Sequence, residues 1–147
     1  MIAWEEIIFH HSAGKDGEIL DAARIRKQHT TTPPGGGPPW LDIGYHFVVE
    51  RAGIYLEPEV IVGRPLNMAG AHCPGHNLTA IGICFVGDFS SAPPPPALLA
   101  VAAKRIVRPL MEQFEIPRTR LHLHREFRAT ECPGAMFTQA LVEQWFG

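Results

Sequence analysis

The stretch IGICFV, Ile81–Val86, carries no polar side chain and consists of β-branched, aromatic and small apolar residues. A continuous run of this kind reads as a central strand, covered on both faces. Upstream, Ile7–His11 is a second short β-branched and aromatic run, ending in SAGKDG, and reads as a buried strand that leads into a loop. Between them, GYHFVVE (Gly44–Glu50) and GIYLE (Gly53–Glu57) flank Arg51-Ala52 and predict a β-hairpin turning at those two residues. Downstream, Leu121–His124 is a further predicted strand.

Helical patterns separate these runs. Glu18–His29 places Ile19, Leu20, Ala23 and Ile25 on one side, with Arg24, Arg26 and Lys27 towards the C-terminal end, where cations suit the helix dipole. Pro93–Pro96 precedes a long helix running to Phe114, in which Pro109 is expected to force a kink or an early end. Pro133–Phe146 predicts a final helix with Phe137, Leu141 and Trp145 on one stripe. TTTPPGGGPP, Thr30–Pro39, denies the backbone its ladder donors and is a loop, and Leu66–Leu78 reads as an irregular loop carrying polar side chains. Strands interleaved with three helices predict an α/β fold, one mixed central sheet flanked by helices, with residues 1–147 forming a single domain.

Composition narrows the function. The 147 residues carry 13 basic and 15 acidic side chains, a formal charge of −2, and 46% are hydrophobic, which gives no reason to expect nucleic acid or an anionic membrane as partner. The start MIAWEEIIFHHSAG lacks a basic segment followed by a long apolar one, so the expectation is a chain made in the cytoplasm without an export signal or membrane span. Cys73, Cys84 and Cys132 cannot all pair within one molecule, which suits a reduced protein. Eight histidines are many for this length, and neutral imidazole is a common metal ligand.

LHLHREFRATECPG, Leu121–Gly134, concentrates that chemistry. On an extended strand His122 and His124 share a face, and either could serve a site. His10 and His11 end another strand and point to opposite faces, so only one of them can join. Cys132 lies within reach of both strand ends, yet a disulfide, a redox thiol, a packed small residue and a metal ligand all remain open for it. One histidine from each strand plus one cysteine would supply three protein ligands and leave a fourth zinc position for water or substrate, which is the pattern of a catalytic centre.

The order IIFHHSAG, WLDIGYHFVVERAGIYLE, GRPLNMAGAHCPGHNLTAIGICFVGDF and HREFRATECPG resembles the type 2 N-acetylmuramoyl-L-alanine amidases, the family of T7-type phage lysozymes and the peptidoglycan recognition proteins. The likeness runs from Ile7 to Phe146 and is specific in the combination of motifs rather than in any one of them. It implies one zinc ion held by His10, His124 and Cys132, with His11 and His122 as neighbours. It implies that the hydroxyl of Tyr45, in GYHF, assists proton transfer or steadies an oxyanion. Phage members often carry a lysine two residues before the ligand cysteine; Thr130 stands there in this chain, as in many animal relatives, and can donate a hydrogen bond but brings no fixed charge. The substrate groove is implied to include His72 and Asn77, with Arg64 and Trp40 as weaker candidates at its rim.

The resemblance implies cleavage of the amide between N-acetylmuramic acid and L-alanine by a monomer acting on peptidoglycan. The expected setting is a phage or prophage endolysin, which reaches the wall through a membrane lesion. A cytoplasmic enzyme recycling soluble muropeptides is one alternative, and a receptor that binds without cutting is another. Plainer roles stand beside these. A strand histidine such as His11, His46 or His122 is ordinarily hydrogen-bonded structure, and His29 and His76 are expected to face solvent. Thr130 could simply bond the local backbone, Cys84 reads as packing, and Cys73 as an inert thiol near the groove.

Overall fold

The computed structural model describes residues 1–14, 21–52 and 57–147. Five strands, β1 (Glu6–His11), β2 (Phe47–Ala52), β3 (Glu57–Val62), β4 (Ala80–Phe85) and β5 (Leu121–Leu123), form one mixed sheet in the order β3-β2-β4-β1-β5. The IGICFV run, all but Val86, lies in β4, between β2 and β1, parallel to both. Every residue of β1 and of β4 is buried, as a strand covered on two faces requires. β5 also runs parallel to β1, and only β2 and β3 are antiparallel.

Alternation along the central strands assigns the two faces. Ile7 and Phe9 of β1, with Ile81, Ile83 and Phe85 of β4, point into the main core, where they meet Leu98, Leu99, Val107, Phe137, Val142 and Phe146. Phe9 stacks on Phe146 at 5.0 Å between ring centroids and lies 5.8 Å from Phe137. Each such ring contributes about 2–3 kcal/mol through burial. The opposite face carries Ile8, His10 and Cys84, together with Gly82, and is covered by helix α1 (Ala22–His29) and by the loops that build the site.

Helix α1 is capped at its N-terminus by two carboxylates: Asp21 accepts from Arg24 N, and the buried Glu50 of β2 accepts from Ala22 N at 2.8 Å. Its buried stripe is Ala22, Ile25 and His29, whereas Ala23 is exposed. The predicted segment 18–20, with Ile19 and Leu20, lies outside the described residues, as do 53–56 of the predicted strand Gly53–Glu57. The hairpin exists, but Arg51 and Ala52 belong to β2 and pair with Pro58 and Glu57 instead of turning. Sequence patterning misses the rest of β3 because EPEVIV carries two charges and a proline. An edge strand tolerates both, since one side of its ladder needs no partner.

The long helical stretch reaches Phe114 as predicted. It consists of α2 (Pro96–Ala102), a π-helical turn (Ala103–Val107) and α3 (Arg108–Phe114). Pro109 does not end it; the wider π turn lies just where the ring would otherwise crowd the preceding carbonyls. The last helix, α4 (Gln139–Phe146), begins six residues later than the pattern suggests, with Thr138 accepting from Leu141 N as its cap. Phe137 therefore precedes the helix, and the helix buries Val142 and Phe146 while Leu141 and Trp145 are only partly covered. No helix among the described residues is long and apolar enough to cross a membrane.

A polar clasp closes the far end of β1. Glu6, 3% exposed, accepts hydrogen bonds from His76 Nδ1 at 2.6 Å and Thr79 Oγ1 at 3.1 Å, and the Arg120 guanidinium lies 3.5 Å away. His76 thus faces this carboxylate, and stacks on Phe127 at 3.9 Å, rather than facing solvent. Burial pushes the Glu6 carboxyl up, but the His76 and Thr79 hydrogen bonds and the His76 and Arg120 charges outweigh it and hold its pKa below the ordinary 4.5. A depressed carboxylate stabilises the fold fully above its unfolded pKa and loses that contribution as pH falls through the folded one. Urea midpoints of wild type and Glu6→Gln should therefore differ at pH 7 by about 1–3 kcal/mol of stability and converge as pH drops below 4.5.

Candidate metal centre and substrate cleft

The site gathers at the C-terminal ends of β1 and β5. β1 delivers His10 and His11 to opposite faces, both buried. β5 ends at Leu123, and His124 opens a 3-10 turn (His124–Glu126) rather than continuing the strand. That turn separates the two histidines that an extended strand would align. His122 lies 3.2 Å from Glu126 and 3.7 Å from Glu6, while the ring of His124 stands 4.4 Å from that of His10. Glu126 caps this turn by accepting from Leu123 N, which fixes the chain where it leaves the strand.

Cys132 returns to this point on a tight turn held by Arg125. The Arg125 guanidinium donates to Gly134 O at 2.9 Å and Phe137 O at 2.7 Å, and its backbone N–H donates to Cys132 O. Gly134 adopts φ +104°, and a Cβ there would lie 2.5 Å from the Phe89 carbonyl carbon, so glycine is required. Arg125 is a site-building residue that sequence reading passes over, because its partners are carbonyls that leave no signature in the chain.

One ligand atom from each of His10, His124 and Cys132 lies within 4.8 Å of the other two. His10 Nδ1 stands 3.8 Å from Cys132 Sγ, which also accepts the His11 backbone N–H at 3.4 Å. Burial first, then the neighbouring histidines, drive the His10 pKa well below 6.5, and burial and Arg128 lower that of His124. Both imidazoles are neutral at pH 7, as a metal ligand must be. Burial raises the Cys132 thiol to about 11, against the His11 N–H bond and the Arg125 charge. A cation is the natural replacement for that proton. His124 Nδ1 is buried with no hydrogen-bond partner, alone among the side-chain atoms of the described residues. An orphaned nitrogen beside a second imidazole and a thiol fits a soft divalent ion such as zinc.

His124 and Cys132 open into a cleft of about 740 Å³, which Tyr45, Thr130, His72, Asn77 and Trp40 also line. This is the size of a small-ligand pocket. The Tyr45 ring lies 5.0 Å from that of His10, and burial, with the Cys84 and Cys132 sulfurs, raises its pKa well above 10.0, so the phenol keeps its proton. Thr130 Oγ1 accepts from Cys132 N at 3.2 Å, which is the local bond open to it on sequence grounds, and leaves its own proton available to the cleft.

The remaining candidates are placed differently. Arg64 is not brought into this cleft: its guanidinium donates to the carbonyls of Ile43, Ala69 and Asp42 and ties the strand entry to the 66–78 loop. Asn77 Oδ1 accepts from both His72 N and Cys73 N at 2.9 Å, so it shapes the loop as well as lining the cleft. His72 is buried against His10, with Nδ1 2.8 Å from His10 Nε2 and Nε2 3.0 Å from Ala80 O. His29 does not face solvent; it is 5% exposed, accepts from Gly44 N at 3.0 Å and meets Trp40 edge-on at 4.8 Å, and so carries the Trp40 wall. Cys73 is packed with Ile8 and Ala80, and Cys84 with Val48 and Ile25, both fully buried.

The N-acetylmuramoyl-L-alanine amidase family matches residues 3–135, and the chain belongs to that family. Peptidoglycan-recognition protein LB of Drosophila melanogaster is 36% identical over 72% of this chain, although the match spans only 43% of the fly protein. The endolysin of Klebsiella phage KP32 is 30% identical over 87% of this chain and 79% of its own length. Among solved structures, the endolysin N-acetylmuramoyl-L-alanine amidase LysCS from Clostridium intestinale URNW superposes with a TM-score of 0.78 at 29% identity, covering 97% of this chain and 83% of that one.

Proposed function

We propose that residues 1–147 are one catalytic domain that uses zinc to hydrolyse the amide joining N-acetylmuramic acid to L-alanine in peptidoglycan. The observation that carries this reading is the convergence of His10, His124 and Cys132 at the edge of a cleft that also presents the Tyr45 and Thr130 hydroxyls. A zinc ion bound there supplies Lewis acidity and lowers the pKa of water to about 7.

The chain itself does the rest. The cleft, walled by Trp40 and the 66–78 loop, positions the muramoyl peptide beside His124 and Cys132. Tyr45, a phenol that stays protonated, donates to the oxygen that gains charge as the carbonyl becomes tetrahedral, and Thr130 can donate a second bond. A proton must reach the departing alanine nitrogen, because an amide anion is too poor a leaving group. The attacking water gives up that proton as it adds, and Tyr45 is placed to relay it to the nitrogen and recover its own, so the phenol ends the reaction protonated. His72 and Asn77 contribute to the cleft chiefly by holding its loop and its ligands.

The phage endolysin relative and the similar clostridial endolysin favour action on the intact wall. The experiment is metal analysis joined to mass spectrometry of digested sacculi. One zinc per chain, with new L-alanine amino termini and unchanged reducing sugar ends, is the expected result. Tight muropeptide binding without amine release would instead assign a receptor, and activity on soluble muropeptides alone would assign a recycling enzyme.

A further inference from the structure

His72 belongs to the metal centre as much as to the cleft, and two backbone features decide how. Its Nε2 faces Ala80 O at 3.0 Å, and a carbonyl oxygen can only accept, so Nε2 carries the proton. In a buried neutral imidazole the other nitrogen is then bare, and Nδ1 must accept from whatever faces it. What faces it is His10 Nε2, at 2.8 Å. His10 therefore carries its proton on Nε2 and presents a bare Nδ1 towards Cys132 Sγ, 3.8 Å away.

Space for this arrangement is carved into the backbone. A Cβ on Gly82, in the middle of β4, would stand 2.6 Å from His72 Cγ and Cδ2, and one on Gly70 would stand 2.5 Å from Cδ2. The glycine interrupting an otherwise apolar central strand is there to admit an imidazole. Asn77 Oδ1 then holds the His72 backbone N–H, and Ala71 N donates to Gly44 O, so the loop carrying His72 is anchored on both sides.

Building on the zinc reading above, we infer that His72 is a positioning residue: it fixes the tautomer and ring orientation of His10, so that one backbone carbonyl of β4 sets which nitrogen of His10 meets the ion. A group of this kind acts through the ligand and changes metal affinity by about 10–100-fold. It does not need to touch substrate.

The test compares zinc affinity, by competition with a chromogenic chelator, in wild type, His72→Phe and His72→Asn, with thermal unfolding of the metal-free proteins as the folding control. Phenylalanine fills the space and offers no acceptor. Asparagine sets an amide oxygen near the place of Nδ1 and so keeps the acceptor for His10. The expected result is a folded His72→Phe that binds zinc about 10–100-fold more weakly, with His72→Asn recovering most of the loss. A folded His72→Phe within about threefold of wild type overturns the inference, as does a His72→Asn that falls as far as His72→Phe. If His72→Phe does not fold, the smaller His72→Leu, which also lacks an acceptor, takes its place beside His72→Asn and is judged by the same outcomes. Because affinity is read without turnover, wild type that binds zinc alongside unaffected variants removes only this role, whereas wild type that binds no zinc removes the zinc reading as well.

Discussion

Replacing Cys132 by alanine will abolish zinc binding and hydrolysis together. The substitution removes one of three clustered ligands and leaves His10 and His124 as a two-nitrogen site. Supporting residues around a metal already change affinity by about 10–100-fold, so loss of a ligand is expected to exceed the upper end of that range. The side chain is partly buried and its turn is held from outside, by Arg125 on Gly134 and Phe137 and by the backbone bond from Arg125 N to Cys132 O. The fold should therefore survive, with an unfolding midpoint near that of the metal-free wild type. Plasma emission analysis and amine release from sacculi are the two readings. Full activity in a zinc-free Cys132→Ala protein would dismantle the metal mechanism.

Tyr45→Phe separates chemistry from metal binding. It deletes one hydroxyl in the cleft and leaves the ring beside His10 in place. A single donor to a developing oxyanion contributes about 10²–10³ in kcat. The variant should keep its zinc and its KM, and lose kcat by that factor. A Tyr45→Phe protein with wild-type kcat would place the proton donor elsewhere, with Thr130 the next to substitute.

Both variants concern residues whose motifs are readable in the chain, and the reason is chemical. Apolar runs such as IGICFV and IIFHH announce buried strands through composition alone, because every residue of β1 and β4 is removed from water. Edge and capping features leave no such trace. β3 hides behind Pro58 and two glutamates, since an edge strand is held by its neighbour's ladder rather than by its own hydrophobicity. Helix α4 is anticipated six residues too early, because Phe137 looks like part of its stripe although it is fixed by packing on Phe9, Phe85 and Phe89.

The histidines show the same division more sharply. Residue types leave His10 or His11 and His122 or His124 open beside Cys132, and the family resemblance implies His10, His124, Cys132 and Tyr45, because a metal and an oxyanion each demand particular atoms that few side chains supply. The position of those atoms was decided elsewhere. His124 faces His10 because the chain leaves β5 in a 3-10 turn, capped by Glu126 on Leu123 N. His72 backs His10 because two glycines leave room for its ring, and Arg64 leaves the cleft because three carbonyls are nearer. The linear chain determined which donors exist and which runs must be buried, since these follow from atom type and solubility. The convergence of two of the eight imidazoles on Cys132 belonged to the folded backbone, because hydrogen bonds to carbonyls and the shape of empty space arise only when distant segments meet.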